Sequence, residues 1–215
     1  MPVSKRNRVV ALTKTSSKGR DLKTKMIDLL RESLDEYNSV YVLKFENMRA
    51  ARFKEIRMHW KESRIFLGKN TVAQIALGKS KEDEYKDNLR HISKKLVGDK
   101  GLLFTNRPKK EVLKYFKEFV SPEYAKAGTI ATEDIALEEG KLPFPISMME
   151  QLRKLGLVVE VKKDTLELKN RFVCATKGVE LTPEQAKVLV HINQPLIKFK
   201  IIVECCCIDG KYEEM

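Results

Sequence analysis

The chain has 215 residues, 42% apolar and 33% charged, which gives no sign of a disordered chain and is enough for one sizeable core or one core with a small second domain. The formal net charge is +12, and residues 1–70 hold 17 Lys and Arg against 8 Asp and Glu, so the first third is the electrostatic footprint of a polyanion partner. No stretch approaches the ~18 consecutive apolar residues of a membrane span, and Met1-Pro2-Val3-Ser4-Lys5-Arg6 leads into no secretory apolar core. An intracellular, soluble protein is therefore expected. Nucleic acid suits the charge better than a membrane, because the basic residues are spread over several elements instead of one amphipathic helix.

Residues 3–19 carry Lys5, Arg6, Arg8, Lys14 and Lys18 among Ser and Thr, which reads as a basic arm that orders on a phosphate backbone. From Asp21, Leu22, Met26, Leu29, Leu30 and Leu34 recur at helical spacing until Asn38-Ser39, and Val40–Phe45 follows as a strand. A helix from about Ala50 to Glu62 buries Phe53, Ile56 and Trp60 and leaves Arg49, Arg52, Lys54 and Arg57 off that stripe. Trp60 is expected in the core, and His59 on the surface without a partner.

The strand Arg64–Leu67 then meets Gly68-Lys69-Asn70-Thr71, followed by a helical pattern from Val72 to Leu77. At such a junction Gly68 lets the backbone turn tightly, Asn70 or Thr71 can cap the helix, and Lys69 stands beside unpaired N–H groups that favour an anion. An RNA phosphate is the anion expected; the plain alternative is an ordinary turn with a cap. A nucleoside triphosphate does not fit, because Ser63 stands where a phosphate-binding loop needs its first glycine and Asn70 where it needs the magnesium-binding hydroxyl.

A charged helix is expected around Asp83–Leu96, then a strand Gly101–Thr105 and a helix opening at Pro108. Alternating strands and helices predict an α/β sandwich. The pattern then changes: Lys126–Ala131 is small and extended, Leu142-Pro143-Phe144-Pro145 is rigid, and Ile146–Leu155 is a short helix ended by Gly156. Leu157–Val161 and Thr165–Leu168 form a hairpin turning at Lys162-Lys163-Asp164. Thr182-Pro183-Glu184 opens a last helix, and Ile197–Cys207 is a strand that needs a sheet to join and is expected to return to the first domain. The division expected is a basic arm at 1–19, an RNA-binding α/β domain at 20–125 plus 182–215, and an inserted α+β domain at 126–181.

No metalloprotease, nucleophile-elbow, paired-cysteine or dinucleotide motif is present, and the three histidines fall in three separate predicted helices. Neither an enzyme, a metal site nor a cofactor is expected. The run Cys205-Cys206-Cys207 reads as strand, reduced as in a cytosolic or nuclear compartment. Carboxylates such as Glu111 beside Lys114 and Glu84 beside Lys81 read as solvated helix pairs.

Four stretches in order, Glu55-Ile56-Arg57-Met58, Gly68-Lys69-Asn70-Thr71, Ala127-Gly128-Thr129-Ile130-Ala131 and Leu189-Val190-His191-Ile192-Asn193-Gln194-Pro195, resemble the archaeal and eukaryotic ribosomal stalk-base family from about Asp21 to Ile208. The resemblance implies an α/β domain that grips large-subunit rRNA at the stalk base, beside a neighbouring stalk-base ribosomal protein, and a small inserted domain facing translation factors. The chain stops at Met215 without the helical extension and acidic tail of the mature protein, which favours the family's assembly-stage paralogue. That reading implies a placeholder on nuclear and nucleolar pre-60S particles, with shuttling to the cytoplasm open, released with the help of a zinc-containing phosphatase-like protein. The alternative is a stalk-base variant retained on mature ribosomes. Phosphate contacts are expected from Lys5, Arg6, Arg8, Arg49, Arg52, Arg57, Gly68, Lys69, Asn70 and Thr71, positioning folded RNA by shape rather than reading its sequence.

Overall fold

The computed structural model describes residues 19–215, so Lys5, Arg6 and Arg8 lie outside the described residues. The chain is a mixed α/β protein with two compact units, one of residues 19–42, 62–106 and 204–215 and the other of 43–61 and 107–203.

The first unit contains α1 (Gly19–Glu36), the start of β1 (Ser39–Glu46), β2 (Arg64–Phe66), α3 (Asn70–Leu77), α4 (Leu89–Lys95), β3 (Lys100–Thr105), the end of β10 (Ile197–Ile208) and β11 (Lys211–Glu214). Its strands lie in the order β11–β10–β1–β3–β2. Alternation along the strands explains the core. Val40 and Val42, Leu102 and Phe104, and Cys205 and Cys207 point to one face, where they meet Leu30 and Leu34 of α1, Ala73, Ala76 and Leu77 of α3 and Leu89 and Ile92 of α4. Tyr41, Leu103 and Cys206, pointing the other way, are fully buried as well, which is why these strands read as nearly continuous apolar runs. The late strand thus joins the sheet as its sequence required, and β11 extends it through an Asp209-Gly210 turn with both residues at positive φ.

One expected helix is shorter than its pattern. Residues 79–88 are turns, and α4 starts only at Leu89, because Asn88 adopts φ 63 and cannot continue a right-handed helix. The Glu84 carboxylate accepts the Arg90 amide at 2.8 Å and its side chain pairs with Arg90 at 3.7 Å, so Glu84 serves Arg90 and not Lys81.

The second unit carries the rest of β1, α2 (Ala50–His59), α5 (Lys109–Glu118), β4 (Val120–Glu123) and the start of β10, to which β4 pairs antiparallel at Ile197–Lys200. It also holds β5 (Ile135–Leu137), β6 (Gly140–Lys141), a 3-10 turn Ile146–Met148, α6 (Met149–Lys154), β7 (Val159–Lys162), β8 (Thr165–Leu168), β9 (Phe172–Ala175) and α7 (Pro183–His191). Two small sheets, β6–β8–β7 and β5–β9, enclose Leu142, Leu152, Leu157, Val159, Leu166, Leu168 and Cys174 with Val188 and Leu189 of α7. The β7–β8 hairpin turns at Lys163 and Asp164, both at positive φ. Helix α7 opens with a complete capping box: Thr182 Oγ1 accepts the Gln185 amide and the Gln185 side chain accepts the Thr182 amide.

Candidate nucleic-acid interface

The expected RNA-contacting residues fall on both units, and each group has its own geometry. In the first unit β2 ends at Phe66 and α3 begins at Asn70, with Lys69 as its N-cap at φ −71 and ψ 117. The first intrahelical bonds run from the Val72 and Ala73 amides to the Lys69 carbonyl at 2.9 and 3.2 Å, so the preceding amides of Asn70 and Thr71 form the open, positive end of the helix. Lys69 is exposed and has no ion pair among the described residues. Thr71 is exposed beside it.

Three details of this turn differ from the expectation. Neither Asn70 nor Thr71 caps α3 with its side chain; the Asn70 amide group instead donates to the Gly98 carbonyl at 2.6 Å and ties the turn to the loop before β3. Gly68 does not occupy the left-handed region. A Cβ built on it would lie 2.5 Å from Phe66 Cζ and 3.2 Å from Met26 Cε, so any larger residue here requires the Phe66 ring, which folds back over it, to move. That is a packing requirement, distinct from close approach by a phosphate. Met26 also brings α1 to the turn, and Lys23, one helical turn before it on the same side, is exposed with no ion pair among the described residues. Sequence reading missed Lys23, although its spacing of three from Met26 was the available signal.

In the second unit the arginines are not equivalent. Arg49 and Arg52 converge on Glu123 of β4, whose side chain is only 14% exposed: Arg52 Nε reaches one carboxylate oxygen at 3.1 Å and Arg49 Nε the other at 3.9 Å. Arg52 also pairs with Glu55 at 3.0 Å, and Arg49 donates to the Tyr124 carbonyl. The hydrogen bond to Glu123, followed by that to Glu55, raises the Arg52 pKa above its ordinary value. These two side chains hold β4 to α2. Arg57 is different, since its guanidinium lies 4.8 Å over the Phe53 ring and has no carboxylate partner among the described residues.

Trp60 is buried and stacked on Phe116 with centroids 5.6 Å apart, as expected of a core residue. Arg107 lies 4.8 Å over its ring and pairs with Glu111 at 2.9 Å, so Glu111 is taken by Arg107 and not by Lys114. His59 is exposed but not partnerless: its ring stacks on Tyr115 at 4.4 Å. The cysteines behave as core residues, with burial pushing the thiols of Cys174, Cys205 and Cys207 up to about 11. No cluster of metal-binding side chains occurs among the described residues, and no helix among them is long and apolar enough to cross a membrane.

An α/β domain with an open helix end and unpaired cations, joined to a smaller α+β segment, matches a defined class. Residues 18–121 match the family model of ribosomal protein L10, and residues 125–193 match that of the insertion domain of the corresponding 60S ribosomal protein. Among individual relatives, the chain is 35% identical over 205 residues to the ribosome assembly factor mrt4 of Dictyostelium discoideum, covering 95% of this chain and 92% of that protein. It is 33% identical to ribosome assembly factor MRT4 of Saccharomyces cerevisiae over 94% and 92% of the two chains. Large ribosomal subunit protein uL10 of Methanopyrus kandleri is 29% identical over 80% of this chain and 48% of its own length. The chain therefore belongs to the Mrt4 family of ribosome assembly factors, related to the ribosomal L10 proteins and the same group as mRNA turnover protein 4, the assembly-stage paralogue expected from the sequence. This is a family of ribosomal and ribosome-assembly proteins, not of enzymes.

Proposed function

We propose that the protein binds large-subunit rRNA at the stalk base of nuclear pre-60S particles as a placeholder, and is later replaced by the ribosomal stalk-base protein. Its carrying observation is the turn before α3, where Lys69, with no ion pair among the described residues, flanks the first amides of a helix whose dipole favours an anion. Lys69, Thr71 and the neighbouring amides hold phosphates in this reading, with Arg57 adding a contact from the second unit and Lys5, Arg6 and Arg8 following the backbone. Arg49 and Arg52 can join only by exchanging Glu123 for phosphate. Asn70 and Gly68 contribute by shaping the turn. Higher identity to assembly factors, 35% and 33%, than to the uL10 relative, 29%, favours the assembly role over a permanent stalk protein. Residence in the nucleus and nucleolus with passage to the cytoplasm, a position beside the neighbouring stalk-base protein, and release by a zinc-containing phosphatase-like protein complete the proposal.

Two measurements test it. Lys69→Glu should weaken binding to an rRNA transcript of the stalk base and reduce the slope of log affinity against log salt by about one to two units. An unchanged affinity and slope would remove Lys69 from the interface. On sucrose gradients the protein should follow nuclear large-subunit precursors and be absent from polysomes. Co-migration with translating ribosomes would make it a stalk component, and absence from every ribosomal fraction would end both readings.

A further inference from the structure

Helix α5 buries Val112 and Phe116 and is fixed from its inner side by the stacks of Tyr115 on His59 and Phe116 on Trp60. Its opposite side is a single row, Lys110, Lys114 and Lys117, at spacings of four and three residues. All three are exposed and have no ion pair among the described residues. The acid Glu111 is drawn aside by Arg107, and Glu118, although four residues after Lys114, forms no ion pair with it among the described residues. Three like charges on neighbouring turns repel, and a partner that supplies several negative charges in line relieves this.

We propose that this ridge is a second contact for the RNA backbone, on the other compact unit from Lys69; the inference rests on the rRNA-binding reading above. Seven residues of helix span about 10.5 Å, comparable with three nucleotides of one strand at on the order of 3 Å of rise each. An acidic protein is the weaker fit, because none of the exposed large apolar side chains lies on α5, and a protein interface needs an apolar centre from which water is excluded. A bare cationic row on a rigid helix suits phosphates, which it can pair without reading bases.

The test uses the full chain and the stalk-base rRNA transcript, with affinities measured from 50 to 200 mM salt. Four proteins are compared with the wild type: Lys69→Glu, the ridge triple Lys110→Gln/Lys114→Gln/Lys117→Gln, a charge-matched control Lys126→Gln/Lys177→Gln/Lys187→Gln, and the ridge with three Arg substitutions. Gln and Arg match Lys in helix propensity, so the fold should hold, and circular dichroism checks it. The ridge triple should lower the salt slope by about two to three units, as expected for three lost phosphate contacts. The Arg ridge should keep the slope and the control should change it by less than about one unit. A ridge triple that matches the control overturns the inference. Weakening by Lys69→Glu alone would overturn the ridge and leave the turn standing, the reverse result would do the opposite, and a wild type that fails to bind the transcript overturns both.

Discussion

Replacing Gly68 by alanine separates two explanations of why that residue is glycine. The new Cβ would lie 2.5 Å from Phe66 Cζ and 2.8 Å from Cε1, well inside contact distance, with Met26 Cε at 3.2 Å. Gly68 is not at positive φ, so the backbone itself accepts alanine and the cost is packing alone. Overpacking typically costs about 1–3 kcal/mol, and because the Phe66 ring is only half-buried and can swing, the lower part of that range, about 1–2 kcal/mol, applies. Loss of glycine's freedom in the unfolded chain offsets about 0.4–1 kcal/mol. The net expectation is a destabilisation of at most about 1.6 kcal/mol, or a fall in Tm of no more than about 6 °C for a chain of this size. Thermal unfolding measures it, and a cycle with Phe66→Leu should show non-additivity, since a smaller side chain removes the clash. RNA affinity, measured well below the transition, should change little in Gly68→Ala. A variant with wild-type stability but weakened RNA binding would refute the packing argument and return Gly68 to the interface. The same collision means that Gly68→Glu confounds folding with charge, so Lys69→Glu is the cleaner probe of phosphate binding.

Glu123→Gln should destabilise the protein by about 1 kcal/mol in urea unfolding, a charged hydrogen bond's contribution reduced because Arg52 is well exposed. The same variant removes the Glu123 charge from Arg49 and Arg52 while leaving Arg52 with Glu55 and Arg49 with the Tyr124 carbonyl, so RNA affinity should rise if they serve phosphate; no change would assign both to structure alone. Thr182→Ala removes one half of the capping box and should cost about 0.5–2 kcal/mol, whereas a loss under about 0.3 kcal/mol would show that Pro183 and packing suffice to start α7. The thiols of Cys174, Cys205 and Cys207 are raised by burial from 9.0 to about 11 in the folded protein. The unfolded chain therefore loses these protons first, so stability is fully present below pH 9 and declines as pH rises from about 9 to about 11. Native protein at pH 8 should react with a thiol reagent far more slowly than the same protein in denaturant, and equal rates would contradict the buried thiols.

Much of the architecture was legible because it depends on local periodicity. Leu30 and Leu34, the Thr182-Pro183 start, the Lys163-Asp164 turn and the alternation of Ile197, Phe199 and Ile201 each signal their element within a few residues. The short strands β4, β5, β6 and β9 carry no such signal, being two to four residues long and in one case holding Pro122; pairing makes them strands. The Asp209-Gly210 turn before β11 was a readable hairpin signal that the sequence reading passed over.

The interface divides along the same line. Charge excess in the first third, the basic character of Lys69 and Arg57 and the helix start after Gly68 are properties of neighbours in sequence, so the sequence alone determined them, together with family membership. Which cations are free is a property of partners distant in the chain. Glu123 reaches back about seventy residues to Arg49 and Arg52, and Met26 of α1 comes to the turn at Gly68. Coulomb energy and steric overlap depend on separation in space, and only the tertiary structure sets that separation.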